Sequence, residues 1–193
     1  MALLAEELVE EWLRRQGFFT IRGAKLGVHE MDLLAVQMTA TGIVCRHIEV
    51  QASINPQNYI SHLTKDIQTR DGKKASSRIS RTEETLLSCV KAWVEKKFHS
   101  SKKRALLATL VPTSFSLASW TQELVINKYK FQREIDLIGE QGVRICLLSE
   151  IISELQRSKM LLESAAGGDF VNLINTVSLS VTTTLFPDAR DSD

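Results

Sequence analysis

Residues 27–53 read GVHEMDLLAVQMTATGIVCRHIEVQAS and predict a β-hairpin. The pattern predicts a first strand over 31–37, a turn over 39–42 and a second strand over 43–51, because apolar β-forming runs flank a polar, glycine-containing segment. Side chains alternate between the two faces of a strand. Glu49 therefore lies on the opposite face from the isoleucine and valine that flank it.

Two acids stand in these otherwise apolar runs. Asp32 precedes two leucines, and Glu49 lies between an isoleucine and a valine. A buried carboxylate is costly unless it is paired or bound to a metal. If the hairpin brings the two acids within ~4 Å, they repel by ~4 kcal/mol at an effective dielectric constant of about 20. Mg²⁺ removes that repulsion because it prefers oxygen ligands. Two interpretations remain open: a divalent-metal site, or one edge acid on each of two partly exposed strands.

The spacing of these acids resembles the core signature of the PD-(D/E)XK nuclease superfamily. The matching motif is Glu30-Met-Asp32-Leu-Leu-Ala, followed after the turn by Ile48-Glu49-Val50-Gln51. The branch it resembles most holds Holliday-junction resolvases and Mrr-like endonucleases. The resemblance covers roughly residues 2–111 and is specific over 5–51. It implies a restriction-endonuclease-like core.

The resemblance also implies roles for four residues of the hairpin. Asp32 and Glu49 are implied ligands of Mg²⁺ or Mn²⁺, and the backbone carbonyl of Val50 is a further implied ligand. Gln51 stands where the family has a lysine that positions or deprotonates the attacking water. A glutamine can orient water by hydrogen bonding, but it cannot carry positive charge or take a proton.

The first helix is predicted over residues 2–16, where apolar residues recur at helical spacing. Its glutamates form a solvated face in the simplest interpretation. Relatives in the resolvase-like branch, however, carry a functional glutamate eleven residues before a Gly-aromatic pair. Counting back from Gly17 gives Glu6 as the candidate third catalytic acid, with Glu7 as the fallback.

Basic residues are concentrated in the middle of the chain. The net charge is +1, but residues 65–104 hold 12 of the 24 basic residues and only 5 acids, a local balance of +7. The cations near the end of the predicted helix at 80–98 are also explained by the helix dipole. The candidate nucleic-acid-binding residues are Lys25, in a predicted loop at 23–29, and Lys73, Lys74, Arg78 and Arg81. No aromatic residues interleave with them, which argues against single-strand binding by base stacking.

The predicted fold class is α/β, with a central mixed sheet of four to five strands flanked by helices. Beyond the hairpin, the predicted strands are 18–22, 105–111 and 143–148, and the further predicted helices are 59–70, 80–98, 119–139 and 150–162. Residues 1–165 are predicted to form one nuclease-like domain and 166–186 a C-terminal extension, either an extra helix and strand or a docking arm. Residues 187–193 are predicted to form a disordered tail.

Three widely spaced cysteines form no CxxC motif, and no signal peptide is recognised. Cys45, Cys89 and Cys146 are therefore expected to be reduced, mostly buried thiols of a cytoplasmic protein. No apolar run approaches the ~20 residues that span a bilayer, so no membrane partner is expected.

The expected function is that of a metal-dependent endonuclease hydrolysing phosphodiester bonds in duplex or branched DNA. The resemblance to resolvases also raises the possibility of a homodimer, because a four-way junction offers two matched strands. Two alternatives stay open. One is a non-catalytic nuclease-like fold that binds DNA or a protein partner, which Gln51 favours. The other is an α/β interaction or regulatory domain whose acids are solvated.

Overall fold

The computed structural model describes residues 2–27, 29–53, 55–111 and 120–157. It contains a five-stranded mixed sheet in the order β1-β2-β3-β4-β5, which confirms the predicted α/β class. The strands are β1 (Phe19–Leu26), β2 (His29–Thr39), β3 (Gly42–Gln51), β4 (Trp120–Ile126) and β5 (Arg144–Leu147). Strands β1, β2 and β3 are antiparallel, whereas β3, β4 and β5 are parallel. The predicted hairpin is confirmed as β2 and β3.

Helices cover both faces of the sheet. They are α1 (Ala2–Arg15), α2 (Lys65–Asp71), α3 (Glu83–Val94), α4 (Ser101–Leu110), α5 (Gln132–Glu140) and α6 (Leu148–Arg157), with a π-helical turn at Glu95–His99 between α3 and α4. The apolar stripes of α1 and α6 pack on one face, against residues such as Leu33 and Ile48. Helices α3 and α5 pack on the other face over β4, and α4 covers the same face over β2 and β3. The hairpin therefore lies between two helical layers.

Two predicted elements of the second half are wrong. Residues 105–111 were predicted as a strand, but Ser101–Leu110 form helix α4 because the run is rich in leucine and alanine, which are strong helix formers. Residues 119–139 were predicted as one helix, but Trp120–Ile126 form strand β4 before helix α5 begins. A parallel strand buried on both faces lacks polar alternation, so its periodicity does not distinguish it from a buried helix.

Three further boundaries differ from the predictions. The helix predicted over 59–70 is confined to Lys65–Asp71. Strand β1 extends past 22 to Leu26, so Lys25 lies in a strand rather than in a loop. The helix predicted over 80–98 begins only after Thr82, whose hydroxyl accepts a hydrogen bond from the Thr85 N–H at 3.3 Å. The predicted C-terminal extension (166–186) and tail (187–193) lie outside the described residues.

All three cysteines are buried free thiols, as predicted. In the described part of the chain, none of the helices is both long enough and apolar enough to cross a bilayer.

Candidate active site

The two acids of the hairpin come together where the ladder between β2 and β3 ends. The last pair of that ladder is Leu33 with Ile48, and the same register carried one step further places Asp32 opposite Glu49. Strand β3 continues past this point, and Asp32 Oδ2 accepts the Val50 N–H at 2.8 Å. The N–H and C=O of one strand residue point to the same side. The Val50 carbonyl therefore faces the same gap as Asp32.

Asp32 is held in an environment that disfavours its charge. Burial raises the pKa of Asp32 to about 6, and the nearby Glu49 carboxylate adds to the rise. The Val50 N–H and the Lys97 ammonium oppose it without cancelling it. Negative charge at Asp32 is therefore incompletely compensated by the protein.

Glu49 is fully buried and is surrounded by donors. Its Oε2 accepts a hydrogen bond from Lys97 Nζ. Its Oε1 lies 2.9 Å from Lys103 Nζ and 3.3 Å from His47 Nε2. Burial alone would raise the pKa of Glu49, but these partners lower it to about 2. Glu49 is therefore ionised at neutral pH, and its ionised form is strongly stabilised.

The two lysines at Glu49 differ in their freedom to move. The Lys103 side chain is 3% exposed, and its ammonium also donates to the Lys97 carbonyl at 2.7 Å. The Lys97 side chain is 25% exposed and also interacts electrostatically with Asp32. Burial would lower the pKa of Lys97, but the Glu49 charge and hydrogen bond raise it. Lys103 is thus a fixed structural cation, whereas Lys97 is a protonated amine at the rim.

His47 lies beneath Glu49 rather than in the open part of the site. It is 1% exposed, and its ring meets the Phe98 ring edge-on at 4.9 Å. Burial lowers the pKa of His47 despite the opposing effect of Glu49. A neutral imidazole donates through Nε2 to Glu49, which leaves Nδ1 as a buried acceptor with no hydrogen-bond partner among the residues that the structure describes. His47 therefore supports the orientation of Glu49 from below.

Helix α1 places Glu6 at the edge of this acidic cluster. Burial raises the pKa of half-buried Glu6; Arg22 opposes the rise, while the Glu30 and Glu49 charges reinforce it. Glu7, the fallback candidate, instead pairs with Arg22 at 3.1 Å. In the described ranges, no three His, Cys, Asp or Glu side chains are placed to hold one metal ion. Glu6 is electrostatically coupled to the hairpin acids but does not complete a set of three ligands with them.

The oxygens at the end of the ladder nevertheless fit a hard divalent cation. Asp32 carries charge that the protein leaves incompletely compensated, and the Val50 carbonyl faces it. Glu49 Oε2 would join them once the Lys97 ammonium moves aside. Carboxylate and carbonyl oxygens are the ligands that Mg²⁺ uses in proteins. This donor set therefore suits Mg²⁺ or Mn²⁺.

The charge conflict at Asp32 predicts that Asp32→Asn stabilises the metal-free protein. Asparagine retains an oxygen for the Val50 N–H but removes the charge. The folded pKa of about 6 lies above the ordinary aspartate pKa of 3.8, so ionisation of Asp32 costs stability as pH rises through this window. We expect a gain of about 1–3 kcal/mol at pH 7.5, since one pKa unit corresponds to about 1.4 kcal/mol. Thermal unfolding in EDTA measures this gain in stability. An equal gain below pH 4, where Asp32 is protonated, would show that removal of its charge is not the cause.

Gln51 and part of the predicted basic set line a cleft beside the acids. Gln51 is half-buried and forms part of the cleft wall together with Arg78 and Arg81. Lys73 and Lys74 are exposed residues of the same basic segment that do not line the cleft.

Two of the predicted basic residues already have protein partners. Lys25 is exposed and lies 3.9 Å from Glu30, its cross-strand neighbour. Arg81 donates to the Ser61 carbonyl at 2.8 Å and stacks over the Tyr59 ring at 3.7 Å. Of the predicted basic residues, Arg78 and Arg81 therefore line the cleft, Lys25 forms an ion pair, and Lys73 and Lys74 lie on the open surface.

The sequence prediction missed Lys97 and Lys103 as site residues. It assigned both to a cluster of cations favoured by the dipole of a helix end. The π-helical turn at Glu95–His99 and the break at Ser100 instead bring both lysines onto Glu49. The available signal was an acid in an otherwise apolar strand that lacks a lysine or arginine on its own face, since Arg46 lies on the opposite face.

No family model matches this chain, and no curated protein matches it. A solved structure, the protein of unknown function AF1548, is similar with a TM-score of 0.39 and 12% identity. The match covers 75% of this chain and 56% of that protein, so it spans just over half of the latter's length. A functional assignment therefore depends on the residues of the site themselves.

Proposed function

We propose that this protein is a metal-dependent nuclease that hydrolyses phosphodiester bonds in DNA. The observation that carries the proposal is the pairing of Asp32 and Glu49 at the end of the ladder, next to a protonated lysine. Burial and the Glu49 charge raise the pKa of Asp32 to about 6, which is the conflict that a divalent cation relieves. The resemblance of the same hairpin to PD-(D/E)XK nucleases supports the proposal independently of the geometry.

Asp32, the Val50 carbonyl and Glu49 would hold the metal. A divalent cation there would stabilise the charge developing on the phosphodiester and make a nearby water more acidic. Lys103 and His47 keep Glu49 ionised and oriented from its buried side. Their role is positioning, because both are almost fully buried.

Lys97 supplies the positive charge that Gln51 lacks. Lys97 lies in the π-helical turn that follows α3. Its ammonium nevertheless contacts the carboxylate of Glu49, the motif acid two residues before Gln51. The Glu49 charge raises the pKa of Lys97, and a lysine that moves aside into solvent is also protonated at neutral pH. Its role is therefore electrostatic stabilisation of the phosphate and not proton abstraction. The Gln51 amide is left to orient the attacking water by hydrogen bonding.

A second candidate function is DNA binding without cleavage. Glu49 already has three donors on its two oxygens, so its charge is compensated by the protein alone. If Lys97 never leaves Glu49, the site remains an internal salt-bridge network. The protein would then bind DNA and leave it intact.

Cleavage of labelled DNA separates the two functions. Linear duplex, single-stranded and four-way-junction DNA, with a matched RNA, are incubated with Mg²⁺, Mn²⁺ or EDTA. The nuclease proposal expects cutting that requires the metal and is lost in Asp32→Asn, a variant expected to remain folded. Asp136→Asn, an exposed acid on α5, is the matched control and should cut normally. Binding without cutting under either metal would overturn the proposal in favour of the second candidate.

A further inference from the structure

A polar cleft of about 690 Å³ opens beside the acidic site. Gln51, which shares a face of β3 with Glu49, lines it together with Arg78, Arg81 and Lys130. A second hollow adjoins it, sharing Gln51 and His62. The volume lies within the range of about 300–1,000 Å³ that is typical of ligand sites.

Among the described residues, the lining of both hollows is basic and contains no acid. The second hollow is lined by Lys65, Lys96 and Lys97 in addition to the shared residues. Lys97 is also the lysine that contacts Glu49. Cations therefore line both hollows, from Lys97 at the acidic site to Arg78 and Lys130 in the cleft, and Gln51 lines both. Several cations in adjoining hollows match the repeating negative charge of a sugar-phosphate backbone.

The cleft wall is held rigidly although it is irregular chain. Glu134 on α5 is 1% exposed and accepts hydrogen bonds from the Ile60 N–H, the Ser61 N–H and the Ser61 hydroxyl, at 3.0, 2.9 and 2.5 Å. Gln57 exchanges backbone hydrogen bonds with the segment around Tyr129. These contacts tie the wall to the loop between β4 and α5, which carries Lys130. Arg81, which donates to the Ser61 carbonyl, is thus held against the same wall as the loop that carries Lys130.

The aromatic residue of the cleft is not available to stack on a base. Tyr59 stacks against Phe131, with ring centroids 4.4 Å apart, and Arg81 lies 3.7 Å from the Tyr59 ring centroid. Both contacts use the ring faces that a base would need. The chemistry of the cleft therefore favours phosphates over bases.

We propose that this cleft binds the backbone phosphates of the DNA strand that flank the scissile phosphodiester, with Arg78 and Lys130 as the principal contacts. The inference deepens the proposed function and rests on it. It assigns a direction to the bound strand, from the acids past Gln51 into the cleft. It also excludes Lys73 and Lys74, two exposed basic residues of the preceding segment, from the main contacts.

Binding measurements on matched pairs of variants test this proposal. Arg78→Ala/Lys130→Ala and Lys73→Ala/Lys74→Ala each remove two exposed cations, so folding is expected to be preserved in both. DNA affinity is measured in EDTA over a salt series, on an Asp32→Asn background. We expect the cleft pair to raise Kd about tenfold and to lower the log–log salt slope by about 1–2, because two phosphate contacts are lost. The control pair should change Kd less than twofold.

The outcomes distinguish failure of this inference from failure of the proposed function. Equal weakening by both pairs, or no weakening by the cleft pair, would overturn the assignment of the cleft even if cutting still requires Asp32. Selective weakening by the cleft pair would support the cleft even if the protein never cuts DNA.

Discussion

In the Lys97→Met variant, we expect metal-dependent cleavage to fall about 10²–10³-fold, the usual loss when one electrostatic donor is removed from a transition state. Lys97 reaches Glu49 Oε2 and also interacts with Asp32, so it lies at the point where a bound phosphate would approach. Methionine preserves much of the length and apolar volume of the side chain. The loss should appear in the single-turnover rate at saturating DNA.

A lysine introduced on strand β3, at position 51, tests the role assigned to Lys97. The Gln51→Lys substitution places an ammonium group at the position where the nuclease superfamily that this hairpin resembles has its lysine. In the double variant with Lys97→Met, we expect part of the lost rate to return. Recovery would show that the site needs one cation, whichever element supplies it.

The control for this experiment is Lys91→Met. Lys91 is an exposed residue of α3, close in sequence to Lys97 but not among the residues that contact Glu49. It should retain normal cleavage. If Lys97→Met cuts at the normal rate, Lys97 has no part in catalysis and its contact with Glu49 is purely structural.

The acidic half of the site was predictable because it depends on local geometry. A hairpin with a short turn has one register in which both strands bury their apolar face, and that register places Asp32 opposite Glu49. The two residues lie within one supersecondary unit. The pattern of apolar residues and acids in that unit was sufficient to bring them together.

The basic half of the site was not predictable in the same way. Lys97 and Lys103 are 48 and 54 residues from Glu49 in sequence. Their position depends on how the segment between β3 and β4 crosses the sheet, and the predicted secondary structure of that segment and of β4 was wrong. The sequence pattern predicts a strand where α4 forms and a helix where β4 forms, because short apolar runs have no decisive periodicity.

The same distinction applies to the cleft. Arg78 was identified as a candidate because of the local excess of basic residues, but composition does not separate it from Lys73 and Lys74. Lys130 lies outside that basic segment and reaches the cleft through the loop after β4. Residues that are joined only by tertiary packing cannot be grouped by local charge counts.

Replacing Lys103 should produce the largest loss of stability among the site variants. Lys103 is 2% exposed and lies 2.9 Å from the fully buried Glu49 carboxylate. Lys103→Met leaves that charge with only Lys97 and His47. Removing one partner of a buried ion pair costs about 3–5 kcal/mol, and we expect about 3 kcal/mol here because two partners of Glu49 remain. Urea unfolding at pH 7.5 measures it, with exposed Lys102→Met as the control, expected within about 0.5 kcal/mol of wild type.

A double-mutant cycle identifies the cause of that loss. Glu49→Gln alone leaves Lys103 buried without its counter-charge and should also destabilise the protein. If the two residues act on each other, the double variant should lose less than the sum of the single losses, with a coupling of about 1–3 kcal/mol. Additive losses would mean that Lys103 contributes through packing alone. A clear coupling would establish that the Glu49 carboxylate is held in place by a buried cation from the segment between β3 and β4.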